Sequence, residues 1–262
     1  MENRLISIVM PSFNSKNYIE QTINSVKNQT YKEWELIIVD DCSNDGSQEF
    51  ISNIIVDDSR IKLIKLEKNN GGPAAPRNIG VREAKGFWVA LLDSDDIWHP
   101  EKLELQVNAM VEHQVAFSST SSRNFRDESE ISFDAGLNGE SIQEVSYLMQ
   151  RIKGRTPNSS VIVERALLLK YPFNEDASYK AVEDYDCYLR IHKEIGHSIK
   201  IKERLLFYRL IDGQISGSKF NMLKKVFFVH RCHDNTKALL AMFLTMSHLV
   251  GAVWQKFVRN GF

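Results

Sequence analysis

The sequence predicts an α/β domain built around a parallel sheet, and three observations carry that expectation. Apolar runs at residues 5–10 (LISIVM), 34–39 (WELIIV) and 87–92 (FWVALL) hold almost no polar side chains, as strands covered on both faces do. Segments with helical spacing separate them, which is the alternation of βαβ units. Two of the runs end in acids, Asp40-Asp41 and Asp93-Ser94-Asp95-Asp96. In such sheets ligands bind beyond the carboxyl ends of the strands.

The first strand is expected to stop at Pro11, which has no backbone N–H to donate. Residues 19–26 space their apolar side chains as a helix, closed by Asn28-Gln29-Thr30. After the second strand, residues 43–47 (SNDGS) are turn chemistry, and residues 50–56 read as a helix. Residues 61–66 (IKLIKL) form a third strand, residues 69–73 a loop, and residues 74–84 a short helix. The fourth strand ends at Asp93, and Pro100 opens a helix over residues 101–112. The second half is less regular. Residues 123–140 are polar and turn-rich, read as a loop, residues 160–163 and 205–210 as strands, and residues 182–191 as a helix. From residue 220 onward the pattern is helical.

Composition narrows the class. A chain of 262 residues, 43% hydrophobic, fills one globular core with a small appendage. Its net charge of -1 lacks the basic excess of a nucleic-acid binder. Cys42, Cys187 and Cys232 are scattered and odd in number, so a reducing compartment is expected, without a disulfide framework. No apolar leader precedes the first strand, and a cytoplasmic protein is expected.

The acids carry the chemistry. Asp93-Ser94-Asp95-Asp96 follows a buried strand, and alternating carboxylates there can hold a hard divalent cation while leaving room for phosphate oxygens. As a bare tetrapeptide it fits a solvated turn better; its place after a buried strand and before Trp98-His99-Pro100 favours the metal reading. Asp40-Asp41 fits a carboxylate that accepts a nucleobase N–H, or a plain turn-forming pair. Residues 71–78 (GGPAAPRN) form a glycine loop in which Arg77 can pair with phosphate, although the spacing matches no dinucleotide or P-loop fingerprint. Glu183-Asp184 opens a helix, where acids are favoured by the dipole anyway, but a carboxylate there can also serve as a base. Arg209 precedes the loop Asp212-Gly213-Gln214-Ile215-Ser216, whose closure would bring it to a diphosphate. His230-Arg231-Cys232-His233 lacks the spacing and the second cluster of a soft-metal site.

Together these residues resemble the family-2 glycosyltransferases, inverting enzymes of the GT-A fold. The resemblance begins at Ile8-Val9-Met10-Pro11-Ser12-Phe13-Asn14 and runs through Val39-Asp40-Asp41-Cys42-Ser43-Asn44-Asp45-Gly46-Ser47, Asn70-Gly71-Gly72 and Arg77-Asn78. It continues in Leu92-Asp93-Ser94-Asp95-Asp96 and Glu183-Asp184-Tyr185-Asp186. It implies a Rossmann-like nucleotide-binding sheet with an acceptor-binding half and a helical tail. The domain would span 1–215, about 1–98 for the donor nucleotide and 99–215 for the acceptor, with 216–262 as a C-terminal helical extension. Pro11 and Phe13 would line the nucleobase pocket, with Asp41 accepting the base N–H. Arg77 would lie near base or phosphates, Asp93 at the ribose or metal shell, and Asp95 on the metal, Mn²⁺ or Mg²⁺. Asp184 would be the general base with Glu183 beside it; the motif alone does not separate the two. Ile211 stands where the family often has a His, so either Arg209 or Gln214 would take the late-loop contact or the loop would have no chemical part.

The implied activity is transfer of a sugar from a nucleotide sugar, UDP by the reading of Asp41, to an acceptor hydroxyl. The chain looks similar to bacterial O-antigen and capsule enzymes, which implies a lipid-diphosphate-linked saccharide as acceptor. A sugar nucleotidyltransferase would show a glycine-rich basic signature near its N-terminus, and none is present. A glycoside hydrolase would need paired carboxylates but no nucleotide or metal, and a non-catalytic scaffold of the same fold would not need the acids. Residues 238–254 (ALLAMFLTMSHLVGAVW) fall just short of a bilayer span of about 20 residues and have basic flanks. They are expected to make peripheral membrane contact at the inner face of the cell membrane or to join a homo-oligomer; packing on the domain is the plainer alternative.

Overall fold

The structure, a computed structural model, describes the chain except residues 1–4, 135, 154–155, 212–218 and 259–262. The first half contains β1 (Ile6–Ser12), α1 (Ile19–Lys27), β2 (Trp34–Asp40), α2 (Ser47–Ile54), β3 (Ile61–Lys65), α3 (Ala74–Glu83) and β4 (Trp88–Leu91). Then come β5 (Ile97–Trp98), α4 (Lys102–Glu112), β6 (Phe117–Phe125), β7 (Ile142–Ser146), α5 (Tyr147–Lys153), β8 (Ile162–Glu164) and α6 (Arg165–Lys170). The chain continues through α7 (Glu183–Ile195) and β9 (His197–Arg209) to the tail helices α8 (Lys219–Cys232) and α9 (Ala238–Val258).

Among the described residues nine strands form one sheet in the order β3-β2-β1-β4-β8-β6-β9-β5, with β7 also on β9. β1 to β4 are mutually parallel, as the sequence predicts. Beyond them the sheet is mixed, since β8 runs antiparallel to both β4 and β6. Successive residues of β1 and β2 serve opposite layers. Ile8, Met10, Leu36 and Ile38 pack with Ile19 and Ile23 of α1 and Leu103 of α4. Val9, Ile37 and Val39 pack with Val81 of α3, Leu168 of α6 and Tyr188 and Ile191 of α7. The result is a sheet covered by helices on both faces, with the core in two layers.

Several expected boundaries change, each for a local reason. β1 runs through Pro11 to Ser12. The Leu92 N–H donates to Val9 O, so Pro11, two residues on, turns its nitrogen to the same side, where β4 has already ended. The missing donor therefore leaves no ladder bond unmade. α2 starts at Ser47 because Asp45 accepts from both the Ser47 N–H and hydroxyl and Gly46 turns at φ +86°. β6 occupies residues assigned to no element and the first three of the expected loop. Its run of serines reads as loop, yet Ser118 to Ser121 are buried in the sheet, and Ser118 Oγ accepts from Gln106 Nε2 at 2.9 Å. β9 is longer than residues 205–210 because it pairs in turn with β7, β6 and β5.

α3 lies unusually close to β1. A Cβ on Gly80 would stand 2.5 Å from Val9 Cγ1, so only glycine permits this approach. That closeness seats Arg77, one turn earlier on the same helix, over the ends of the parallel strands.

Candidate active site

A cavity of about 660 Å³ opens where β1, β2 and β4 end, at the reversal of strand order between β1 and β4. Pro11, Phe13, Asp41, Arg77, Asp93, Asp95, Glu183 and Asp184 all line it. Eight of the nine site residues expected from the sequence thus meet at one place, brought there from stretches up to 173 positions apart.

Hydrogen bonds separate the acids that build the site from those that face it. Asp40 is fully buried and accepts from Ser43 N–H, Ser43 Oγ, Gln48 Nε2 and Ser12 Oγ; it ties the loops after β1 and β2. Asn14 completes that tie, donating its N–H to Ser43 Oγ and accepting from Asn44 N–H. Asp41 lies in the cavity wall and accepts from Asn70 N–H at 3.0 Å and Asn70 Nδ2 at 2.6 Å. Asn70 precedes the two glycines, so the loop before α3 is moored to Asp41.

In the turn after β4, Asp96 points inward. Its Oδ1 accepts the Arg209 N–H at 3.0 Å, and burial, reinforced by the charges of Asp95 and Asp93, raises its pKa well above the usual carboxylate range. Asp93 and Asp95 remain half-buried in the cavity wall. Asp93 Oδ1 accepts Arg77 Nη2 at 2.7 Å, and Arg77 Nη1 donates to Glu183 Oε1 at 2.8 Å. Arg77 is almost fully buried between these two acids, and their charges hold its proton more tightly against the opposing effect of burial.

Glu183 and Asp184 thereby part company. Glu183 is buried and locked to Arg77. Asp184 is half-exposed to the cavity, and burial, followed by the charge of Glu183, pushes its pKa up to about 7. Ala181, three residues earlier in the cavity wall, holds φ +74°, a strained value for a residue with a Cβ.

Asp93 and Asp95 offer hard oxygen donors in an open cavity, a set that suits Mg²⁺ or Mn²⁺ completed by ligand phosphates. Among the described residues no three His, Cys, Asp or Glu side chains converge on one point, so a closed protein cage is not what these residues build.

Arg209 corrects the expectation placed on it. It does not line the cavity. Its Nε donates to Asp95 O at 2.8 Å, its Nη2 bonds Gln21 Oε1, and its guanidinium lies over the rings of Phe125 and Tyr18. It braces the acid turn from behind. The cation that sequence reasoning missed is Lys180, exposed in the cavity wall beside Ala181; its one sequence signal is its place three residues before Glu183. Ile211 lines the cavity as well, while Gln214 and the rest of the expected loop lie outside the described residues.

The tail packs on the domain through one face of α9. Ala241, Leu244, Thr245 and His248 are buried at helical spacing. His248, set in an apolar stretch, places its Nε2 2.8 Å from Arg151 O and 3.1 Å from Tyr185 Oη. His230 packs on the same tyrosine, and burial lowers its pKa to about 3. The opposite face leaves Leu239, Leu240, Met242, Phe243 and Met246 exposed. No helix among the described residues is long and apolar enough to cross a membrane.

Comparison with known proteins agrees with this geometry. Residues 7–170 match the family described as Glycosyl transferase family 2. TuaG of Bacillus subtilis strain 168, named for teichuronic acid biosynthesis, is 34% identical over 230 residues, 87% of each chain. The Escherichia coli UDP-Glc:alpha-D-GlcNAc-diphosphoundecaprenol beta-1,3-glucosyltransferase WfgD is 34% identical over 228 residues, covering 86% of this chain and 85% of its own. Among solved structures, S. aureus TarS 1-349 in complex with UDP-GlcNAc superposes with a TM-score of 0.71 at 22% identity, over 98% of this chain and 74% of TarS. Both families of helices around the sheet are therefore those of the GT-A fold.

Proposed function

Because the chain belongs to glycosyl transferase family 2, we propose that it carries a sugar from a uridine diphosphate donor to a hydroxyl of a lipid-diphosphate-linked saccharide, inverting the anomeric carbon. The observation that carries this reading is the single cavity shared by Asp184, poised near pH 7, and the carboxylates Asp93 and Asp95. A base with that proton affinity is half-ionised at neutrality and still able to accept a proton in the transition state.

The roles follow from place. Phe13 and Pro11 form an apolar wall for the uracil, and Asp41 accepts its N3–H. Asp95 and Asp93 would hold Mn²⁺ or Mg²⁺, which when bound neutralises charge on the leaving diphosphate. Lys180, which also lines the cavity, adds a cation. Asp184 takes the proton of the acceptor hydroxyl as its oxygen forms the new bond to the anomeric carbon. The bond from that carbon to the diphosphate oxygen breaks, and nucleoside diphosphate leaves. Arg77 holds Glu183 and Asp93 in register rather than contacting the reacting atoms. The names of the relatives support the substrate classes, since WfgD is described as using UDP-Glc and a diphosphoundecaprenol acceptor. Residues 1–98 and 99–215 would then serve donor and acceptor respectively. The apolar outer face of α9, with basic residues at its ends, would hold the enzyme to the inner face of the cell membrane.

The test is nucleoside diphosphate release from a panel of uridine, guanosine and thymidine diphosphate sugars, with a GlcNAc-diphospholipid acceptor, before and after chelation. Release from a uridine diphosphate sugar that needs both acceptor and divalent cation is the expected result, with an inverted anomeric centre by NMR. Retention at that centre, or full activity in chelator, would overturn the mechanism.

A further inference from the structure

Arg77 is only one of two bridges between Asp93 and α7. The second runs through two residues without a role so far. Asp93 Oδ1 also accepts Asn158 Nδ2 at 3.1 Å, and Asn158 Oδ1 accepts the Tyr188 hydroxyl at 2.7 Å. Tyr188 stands on α7 four residues after Asp184, hence on the same face one turn further along. Both side chains are buried.

The direction of each bond is fixed by chemistry. An ionised Asp93 can only accept, so Asn158 must present its NH₂ there and its oxygen to Tyr188. Burial keeps the Tyr188 phenol protonated and therefore donating. Asn158 is itself anchored at both ends of the acid turn: its neighbour Ser159 accepts the Asp93 N–H on Oγ at 3.0 Å and the Trp98 Nε1–H on its carbonyl at 2.7 Å. α7 is thus tied to Asp93 at two points, at Glu183 through Arg77 and, five residues further on, at Tyr188 through Asn158. One tie would let the helix swivel about it. Two ties fix its rotation as well as its distance.

We infer that Asn158 and Tyr188 are positioning residues, which hold the first turn of α7 so that Asp184 keeps one fixed placement relative to Asp93. The inference rests on Asp184 being the base. A displacement of about 1 Å between reacting groups is enough to cost orders of magnitude in rate, so the bridge acts on turnover more than on donor binding.

Tyr188→Phe removes one hydroxyl at constant volume; Asn158→Ala removes the link itself. Four quantities are measured in each variant and in the double variant: kcat, KM for the donor, sugar transferred per nucleoside diphosphate released, and affinity for UDP with Mn²⁺ by calorimetry. Leu168→Ala, in the core layer under α7, serves as a comparison of equal or greater loss in melting temperature. Either single variant is expected to lower kcat about tenfold, with KM and UDP affinity within about twofold and a larger share of donor lost to water. The double variant should be no worse than the worse single one. Leu168→Ala should melt earlier with wild-type kcat and coupling. The positioning role fails if Tyr188→Phe turns over as wild type. It fails also if the two losses multiply, if UDP affinity falls as far as kcat, or if Leu168→Ala shows the same uncoupling. A wild-type chain that transfers no sugar from any donor removes the proposed function first, and this inference with it.

Discussion

As the proposed base, Asp184 would serve rate and weaken the fold together. Its folded pKa of about 7 lies above the ordinary aspartate value of 3.8, so the native protein holds this proton more tightly than the unfolded chain does. The stability it contributes is complete at acid pH and is lost as pH rises through that interval. Asp184→Asn is therefore expected to melt later than wild type, by a margin that grows between about pH 4 and pH 7 and then levels, while kcat collapses and UDP affinity is kept. Melting curves across that range check the first part and steady-state kinetics the second; a constant margin would mean the group is not raised. In wild type, kcat should climb with pH through about 7. The two cations behave in opposite ways. Lys180→Ala should weaken UDP binding about tenfold with unchanged melting, whereas Arg209→Ala should lower melting first, because its guanidinium fastens Gln21 and the Asp95 carbonyl between two rings. Calorimetry on both variants separates them. The acids of this site were legible in the sequence because residue type and place after a strand already state their chemistry. Arg209 misled for the same reason: an arginine near a ligand loop looks free until its partners, up to 188 positions away, are known. Asn158 carries no local signal at all.

Among the elements, the parallel strands were legible and β6 was not. Runs such as residues 34–39 announce burial on both faces, while a strand that buries Ser118, Ser119, Thr120 and Ser121 in a row between Phe117 and Phe125 takes its place from neighbours on both sides, which no local propensity encodes. α9 was legible in part. Its apolar length suggested contact with something; which face meets the domain depends on α5 and α8. The outward face combines Leu239, Leu240, Met242, Phe243 and Met246 with exposed Arg231 and Lys237 near its start, and the sequence of the helix contains no acid. Leu240→Glu combined with Phe243→Glu should leave melting and UDP binding intact and abolish sedimentation with anionic vesicles. A wild-type chain that ignores vesicles but elutes as a dimer, split by this pair of changes, would assign the face to a second copy.

At the scale of the whole molecule, the strands before and after residue 98 share one sheet. β5, at residues 97–98, finds its partner only in β9, where Ile97 pairs with Phe207, and Asp96 receives the backbone N–H of Arg209. A fragment ending at residue 98 is expected to stay unfolded and to bind no UDP, by circular dichroism and calorimetry; a folded, UDP-binding fragment would show that the halves are separable bodies. The same seam sets a clock on synthesis. Translation proceeds at about 5–20 residues per second, so roughly 5–20 s pass between the making of Trp98 and that of its partner Leu206. During that wait the acid turn has no lid and a large indole has no strand beside it. The nascent chain is most exposed to aggregation and to proteolysis in this interval.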